Sequence, residues 1–297
     1  MTGIYWQIKC TASSRDLGDY LLEKLVGRIF PTYIFNSVSE KTSRYLKLEQ
    51  ATLCISFDCE YRKDIQAIPK LLSLLDEYKL KASFACIGRW IEEYPKEHKL
   101  ILKNGHEILN HTYSHPNHEE LNKRRFDELT STEKRDEIIR CHRVCQETLG
   151  YEMIGFRAPH FGNVSMSEVY RILHELKYTY SSSTIASNSK FGGAPYNAAR
   201  VIELPLSVCP AHPWTVLDSY HSFVRGEHND FKEVFQQLLQ TAASSKSLIN
   251  IYFDPSVVEE KAFEEALKMI KAERDHIDVL RLCDFVKSMN TSELPVL

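Results

Sequence analysis

The sequence lacks an apolar run long enough to cross a membrane. A spanning helix needs about 18 consecutive residues with almost no charge. The nearest candidate, YLLEKLVGRIF, contains Glu23, Lys24 and Arg28. The N-terminus also lacks the basic start and continuous apolar stretch of a secretory signal peptide. We therefore expect no membrane span and no secretion by that route.

Clusters of Lys and Arg interleaved with aromatic residues are missing as well. The 297 residues contain 37 Lys and Arg against 40 Asp and Glu, so the formal net charge is −3 with His neutral. A protein that binds nucleic acid needs a basic patch to contact the phosphates. The composition therefore argues against a nucleic-acid partner.

Eight cysteines are present, but none belongs to a Cys-x-x-Cys pair. A chain of this length needs no disulfides to stabilise its core, and free cysteines are typical of a reducing compartment, so we predict a cytoplasmic protein. Cys141 and Cys145 share one face of a predicted helix with Ile138 and Leu149. This pattern predicts core residues, because the spacing is not that of a zinc loop.

From residue 51 onward, short apolar runs alternate with helical patterns. The runs predicted as strands are ATLCISFD, KASFACIG, HEIL, MIGFR, YTYSSST, VIELPLS, LINIYFD and IDVL. Apolar residues three and four apart predict the helices between them, including one that passes through Trp90 and Leu100 and stops at Gly105. Thr130 with Glu133, and Ser165 with Glu168, have the spacing of capping boxes at helix starts.

Near-continuous apolar strands separated by helices predict an α/β fold with seven or eight parallel strands, most simply a barrel. Residues 1–48 break the alternation and contain one predicted helix over residues 16–28. We therefore predict an N-terminal extension over residues 1–48 that packs on a barrel domain over residues 49–297.

Three groups of reactive side chains follow predicted strands: FDCE, NHTYSH and FRAPHFG. In parallel α/β barrels the chemistry lies at the carboxyl ends of the strands. His111 and His115 are four apart, and two imidazoles on one turn can bind one cation. Pro116 disfavours helical geometry at His115, so we expect a single turn there. The alternative interpretation is a polar turn with exposed histidines.

Two charged features lie beside these histidines in the predicted barrel. Asp58 and Glu60 are two apart at a strand end, so their side chains point the same way and Cys59 points the other way. One carboxylate with two imidazoles makes a three-ligand divalent site, and the second carboxylate remains free as a base. Arg157 at another strand end could pair with a carboxylate across the barrel. The alternative interpretation of the two carboxylates is a capping or turn aspartate beside a solvated glutamate. The alternative for Arg157 is a surface ion pair.

The segments SFDCE, GHEILNHTYSH, GFRAPHFG, VIELPLS and LINIYFDP resemble, in this order, the motifs of the polysaccharide deacetylases, which are carbohydrate esterases with a NodB homology domain. The resemblance implies a distorted (β/α) barrel that holds one divalent metal ion, usually zinc, and removes acetyl groups from N-acetylated sugars. It also implies residue roles: Asp58 as catalytic base, His111 and His115 as metal ligands, Arg157 as the group that orients the base, and the His160 amide as an oxyanion donor.

Three positions depart from the family pattern. The acidic metal ligand usually follows the base directly, but Cys59 stands there, so we expect Glu60 to be the ligand and a Cys59 thiolate to be the alternative. The late motif usually supplies a histidine as general acid, whereas LINIYFDP offers Asp254. In YTYSSS, Ser181 stands where an aspartate is common.

The group that protonates the leaving amine is therefore open. His212 and His221 in CPAHPWTVLDSYHSF are candidates, and so is Asp254 if burial raises its pKa. Trp214 in the same stretch could stack against a sugar ring, although core packing is the commoner use of an aromatic side chain.

The leading hypothesis is a metal-dependent hydrolase that deacetylates an N-acetylated sugar or polysaccharide, with zinc as the expected ion and the carbohydrate as the partner. One alternative is a cytoplasmic amide or ureide hydrolase that acts on a small non-sugar substrate. Another is a non-catalytic carbohydrate-binding relative, which the substitutions at Cys59 and Asp254 motivate.

Overall fold

A curled sheet of nine strands forms the centre of this computed structural model, which describes residues 29–161, 164–219, 222 and 231–297. The strands are β1 (Ala51–Cys59), β2 (Ser83–Cys86), β3 (Glu107–Asn110), β4 (Gly155–Phe156), β5 (Tyr180–Ser181), β6 (Tyr196–Ala198), β7 (Val201–Glu203), β8 (Leu248–Phe253) and β9 (Ile277–Val279).

Helices cover this sheet and connect its strands. Those in the described part of the chain are α1 (Pro31–Leu46), α2 (Arg62–Glu77), α3 (Gly88–Glu93), α4 (Pro95–Lys103), α5 (Ser131–Leu149), α6 (Met166–Glu175), α7 (Phe231–Ser245), α8 (Lys261–Ala272) and α9 (Leu282–Ser288). None of them combines the length and apolar character that a membrane span requires.

The strand order is β6-β7-β5-β4-β3-β2-β1-β8, and β9 pairs with the first residues of β1. All pairs are parallel except β6 with β7. The segment after β7 meets β8, because the Ser207 amide donates to the Asn250 carbonyl at 2.7 Å. This topology confirms the predicted distorted barrel of seven or eight parallel strands, with eight found in the described part of the chain. The short antiparallel strand β6 was not predicted.

Strand β1 is the most enclosed strand of the sheet. All nine of its residues are buried, since β2 and β8 flank it and helices cover both faces. Its side chains alternate between two apolar clusters: Phe57 belongs to the larger one, and Cys54 belongs to a smaller one closed by α9. The continuous apolar run in the sequence therefore reflects burial on both faces.

Helix ends test the capping predictions directly. Thr130 caps α5 as predicted, with its hydroxyl accepting from the Glu133 amide at 3.3 Å. The Ser165 box is wrong, because the Ser165 side chain makes no capping hydrogen bond and the Glu168 carboxylate accepts from Lys134 at 2.8 Å instead. The single helix predicted across Trp90 is also wrong, since Pro95 starts a second helix, α4.

The described part of the N-terminal extension is α1, which packs on the barrel. Phe35 lies in the main core, and α1 contacts α7 and β8. The predicted helix over residues 16–28 lies outside the described residues, so the extension as a whole stays a prediction. Cys141 and Cys145 are fully buried in the core, which confirms their predicted role. Six of the described cysteines are free: Cys54, Cys59, Cys86, Cys141, Cys145 and Cys283.

Gly155 in β4 leaves no room for a side chain. A Cβ atom there would lie 2.3 Å from the Tyr180 ring, and the hydroxyl of Tyr180 donates to the buried Glu107. We expect Gly155→Ala to lower the free energy of unfolding by about 1–3 kcal/mol through overpacking. Urea unfolding measures this, with Ser244→Ala on the exposed face of α7 as the control. An unchanged midpoint for Gly155→Ala would contradict the packing described here.

Candidate metal centre and active site

The reactive residues lie where β1, β3 and β4 end. The register of the parallel pairs sets Asp58 beside Ala85, Cys86 beside Asn110, and Asn110 beside Phe156. The strands therefore stop at one edge of the sheet, and the next residues of each chain segment converge there. This edge brings together the segments that carry Asp58, Glu60, His111, His115 and Arg157.

Glu60, His111 and His115 form a compact cluster. The Glu60 Oε1 atom lies 3.2 Å from His115 Nε2 and 3.5 Å from His111 Nε2. The two imidazole centroids are 4.7 Å apart, and one ligand atom from each residue lies within 4.8 Å of the other two. Two imidazoles and one carboxylate match the donor set of a three-ligand divalent site with an open position.

The hydrogen bonding of the two histidines also fits a cation. His111 donates from Nδ1 to the Arg157 carbonyl at 2.9 Å, so Nε2, which faces Glu60, is the ring nitrogen available to a cation. Both ring nitrogens of His115 are buried, and neither has a hydrogen-bond partner among the described residues. Buried polar atoms rarely lack partners, so an ion is the natural partner for this ring.

The turn between the histidines is a strained bend. Thr112 and His115 have φ values of 63° and 48°, in the left-handed region. The expected single helical turn is therefore wrong, because residues 111–116 follow no helix. The side-chain oxygen of Asn110 accepts from the Thr112 amide at 2.8 Å, and the Thr112 hydroxyl accepts from the His115 amide at 3.1 Å. These bonds hold the two imidazoles on one side of the chain.

Asp58 and Arg157 form a fully buried ion pair with a separation of 2.7 Å. The guanidinium also donates to the Ser56 hydroxyl, the Ser182 carbonyl and the Ser182 hydroxyl at 2.9–3.0 Å. The arginine thus contacts both the carbonyl and the hydroxyl of Ser182, whereas the Ser181 hydroxyl bonds to the Ser183 hydroxyl at 2.8 Å. Burial raises the pKa of Asp58 above its ordinary value, although Arg157 and His111 oppose this shift. The second oxygen, Oδ2, has no described partner.

Trp90 and His118 bind the backbone carbonyl of Glu60. The sequence predicted no role for either residue. Trp90 donates from its indole nitrogen to the Glu60 carbonyl at 2.7 Å, and His118 donates to the same carbonyl from Nε2 at 3.0 Å. The Glu120 amide donates to His118 Nδ1, which fixes this tautomer. Neither residue carries a sequence signal for this task, because the contact depends on tertiary packing.

The carboxylate of Glu60, not the thiol of Cys59, meets the histidines. Cys59 points into the main core beside Cys86, and burial raises the pKa of its thiol well above the ordinary range. Burial opposes the ionisation of Glu60, but His115 and His111 hold its pKa well below the usual value. The alternation predicted for residues 58–60 is therefore present, and Glu60 is available as an anionic ligand.

The other predicted site residues occupy different positions. His160 has a φ of 50°, and its imidazole lies 5.0 Å from that of His115. Asp254 directly follows Phe253, which pairs with Phe57, so Asp254 lies at the end of the strand next to β1, which carries Asp58. His212 is exposed and Trp214 is half-buried in the segment after β7, and His221 lies outside the described residues. Roles for these last three residues stay predictions.

These features define a (β/α)-barrel protein with a candidate two-histidine, one-carboxylate metal centre at the carboxyl end of its sheet. Residues 46–181, slightly less than half of the chain, match the family model described as polysaccharide deacetylase, which confirms the resemblance of the motifs to that family. A peptidoglycan-N-acetylglucosamine deacetylase of Bacillus cereus is 32% identical over 111 residues, which are 37% of this chain and 37% of that protein. The chain thus spans about a third of that relative's length.

Solved structures share the fold. A candidate polysaccharide deacetylase from Mycobacterium smegmatis superposes with a TM-score of 0.68 at 18% identity, covering 83% of this chain and 92% of that one. A pseudoenzyme of the CE4 family from Bacillus anthracis superposes with a TM-score of 0.51 at 16% identity, covering 84% and 70%. At such identities the likeness shows the fold alone, and the pseudoenzyme illustrates that this fold also occurs without activity.

Replacing Arg157, the positively charged partner of Asp58, tests the electrostatics of the buried ion pair. We expect Arg157→Met to lower the unfolding free energy of the metal-free protein by about 3–5 kcal/mol near pH 7, because it leaves the Asp58 charge buried alone. In the folded variant burial raises the Asp58 pKa above the unfolded value without opposition from Arg157. A raised folded-state pKa of an acid means that stability falls as pH rises, so the deficit should shrink toward about pH 5.

Urea unfolding at both pH values measures this effect. The double variant Arg157→Met with Asp58→Asn removes both charges and should recover most of the lost stability. If Arg157→Met is as stable as the unaltered protein at neutral pH, the pair does not have the described role.

Proposed function

We propose that this chain is a metal-dependent deacetylase that hydrolyses the acetamide of an N-acetylated sugar or polysaccharide. The observation that carries the proposal is the cluster of Glu60, His111 and His115 beside the buried pair of Asp58 and Arg157. The matched family and the name of the Bacillus cereus relative support the deacetylase class and the carbohydrate substrate.

Glu60, His111 and His115 would hold the ion, and zinc fits two imidazoles and one carboxylate. A divalent ion there would supply Lewis acidity, which lowers the pKa of a water molecule and polarises a carbonyl group. Asp58 lies beside this cluster with one oxygen bound by Arg157 and the other unpartnered. We assign the unpartnered Oδ2 as the atom that takes the proton from the attacking water.

The amide of His160 is the proposed donor to the oxyanion. No described residue accepts a hydrogen bond from this amide, and the left-handed backbone at His160 is of the kind that occurs at functional sites. Partial desolvation of this exposed residue, followed by repulsion from His115, lowers the pKa of the His160 imidazole to about 4, so this side chain is neutral near pH 7. Donation from a preorganised amide stabilises the charge that develops on the carbonyl oxygen.

Asp254 is the proposed acid for the leaving amine. It directly follows β8, which pairs with β1, the strand that carries Asp58. Burial, followed by the negative charges of Glu60 and Asp64, raises the Asp254 pKa well above its ordinary value. A carboxyl group that keeps its proton near neutral pH can donate it to the departing nitrogen, which is the task of the usual family histidine.

Metal content and turnover together test the proposal. The unaltered protein should hold one divalent ion per chain and release acetate from N-acetylglucosamine oligomers. His111→Ala with His115→Ala should lose both, and Glu60→Ala should lose the ion. Asp58→Asn should keep the ion and lower kcat by about 10²–10⁴-fold, because only the base is removed. Elemental analysis and acetate assays measure these outcomes.

Cys59→Ser is the control for the ligand assignment. It should bind the ion like the unaltered protein, because the thiol lies in the core. An ion that is lost in Cys59→Ser and kept in Glu60→Ala would reverse the assignment. Sugar binding without a bound ion and without turnover would identify a non-catalytic carbohydrate-binding relative. Hydrolysis of small ureides, together with no acetate release from sugar oligomers, would identify a hydrolase of small non-sugar substrates.

Replacement of Asp254 tests the acid. Asp254→Asn should keep metal affinity and lower kcat for the acetamide substrate by about 10²–10⁴-fold. Hydrolysis of 4-nitrophenyl acetate should fall much less, because nitrophenolate leaves without protonation. Equal losses on the two substrates would show that Asp254 does not act as the acid.

The cytoplasmic location also remains part of the proposal. Six buried free cysteines in the described part of the chain support a reducing compartment. In that compartment a soluble N-acetylated sugar is a more accessible substrate than a cell-wall polymer. Comparing acetate release from short oligomers and from insoluble polymer would distinguish these two substrates.

A further inference from the structure

Glu137 on α5 contacts the turn that carries the two histidines. Its Oε2 atom accepts from the amides of Tyr113 and Ser114 at 3.0 and 2.8 Å. Its Oε1 atom accepts from the Ser114 hydroxyl at 2.7 Å. Tyr113 and Ser114 lie between His111 and His115, so one half-buried carboxylate binds the middle of the candidate metal-binding turn three times.

This turn needs external support. Thr112 and His115 both have left-handed backbone conformations, and such conformations in residues other than glycine cost about 1–3 kcal/mol each. A strained backbone persists only where its surroundings hold it. Hydrogen bonds from amides to an ionised carboxylate are roughly twice as strong as neutral ones, so Glu137 is well suited to this task.

Helix α5 holds the same turn at two further points. The side chain of Asn110, which precedes His111, donates to the Ile138 carbonyl of α5 at 2.9 Å. The guanidinium of Arg140 lies 3.5 Å from the centroid of the Tyr113 ring. Glu137, Ile138 and Arg140 thus contact the turn from one stretch of a long helix, which provides a rigid support.

We propose that Glu137 is a positioning residue for the metal centre. It acts through the backbone of the turn and holds the imidazoles of His111 and His115 at the spacing that suits one cation. The inference rests on the proposed function, since it assumes that these imidazoles bind an ion. No sequence motif marks Glu137, because its partners lie more than twenty residues away along the chain.

Zinc affinity of the purified protein tests this inference without an activity assay. Competition with a chromophoric chelator should show that Glu137→Ala binds Zn²⁺ about 10–100-fold more weakly than the unaltered protein, the range found when groups that support metal ligands are removed. Glu137→Gln should lose less, because its amide oxygen can still accept one bond. Asp136→Asn, an exposed neighbour on α5, is the matched control and should bind normally.

Thermal unfolding of the metal-free variants separates positioning from general stability. A merely structural role would lower Tm and leave the zinc affinity of the folded protein unchanged, and that result overturns the inference. If Glu137→Ala does not fold, normal affinity in Glu137→Gln overturns it. An unaltered protein that binds no divalent ion would overturn both this inference and the proposed function, whereas equal binding by all variants would overturn this inference alone.

Discussion

The burial of two imidazoles against one carboxylate is the constraint on which the site depends. Glu60 lies 3.2 Å from His115 and 3.5 Å from His111, and the rings are almost fully enclosed. Polar groups removed from water without partners cost free energy, and the nitrogens of His115 have no hydrogen-bond partner among the described residues. A cation satisfies all three groups at once. The strained turn and the supports around it are arranged to keep these groups together.

The departures from the family pattern fit one another in space. Cys59 enters the core of the barrel, and the longer side chain of Glu60 reaches the histidines from one residue further along. Trp90 and His118 both donate hydrogen bonds to the Glu60 carbonyl, and these bonds fix the backbone from which the Glu60 side chain extends. At the neighbouring strand end, Ser182 supplies two acceptors to Arg157, so Asp58 is the only carboxylate that the guanidinium contacts among the described residues.

Much of the fold was predictable because apolar periodicity reflects burial. The enclosed strand β1, the helix α5 with its Thr130 cap and the parallel order all follow patterns visible in the chain. Predictions failed where a local rule met a competing contact. Glu168 binds Lys134 instead of completing a cap, Pro95 divides one periodic segment into two helices, and the three residues of β6 are too few to leave a pattern.

The sequence by itself determined the class of fold and the groups that compose the site, because alternation and residue type are local properties. Only the tertiary structure decided that Glu60 rather than Cys59 meets the histidines, because that choice depends on which side of β1 faces the turn that carries them. It also decided the contacts of Ser182, Trp90, His118 and Glu137. These partners are distant along the chain, and a hydrogen bond between distant residues exists only once packing has brought them together.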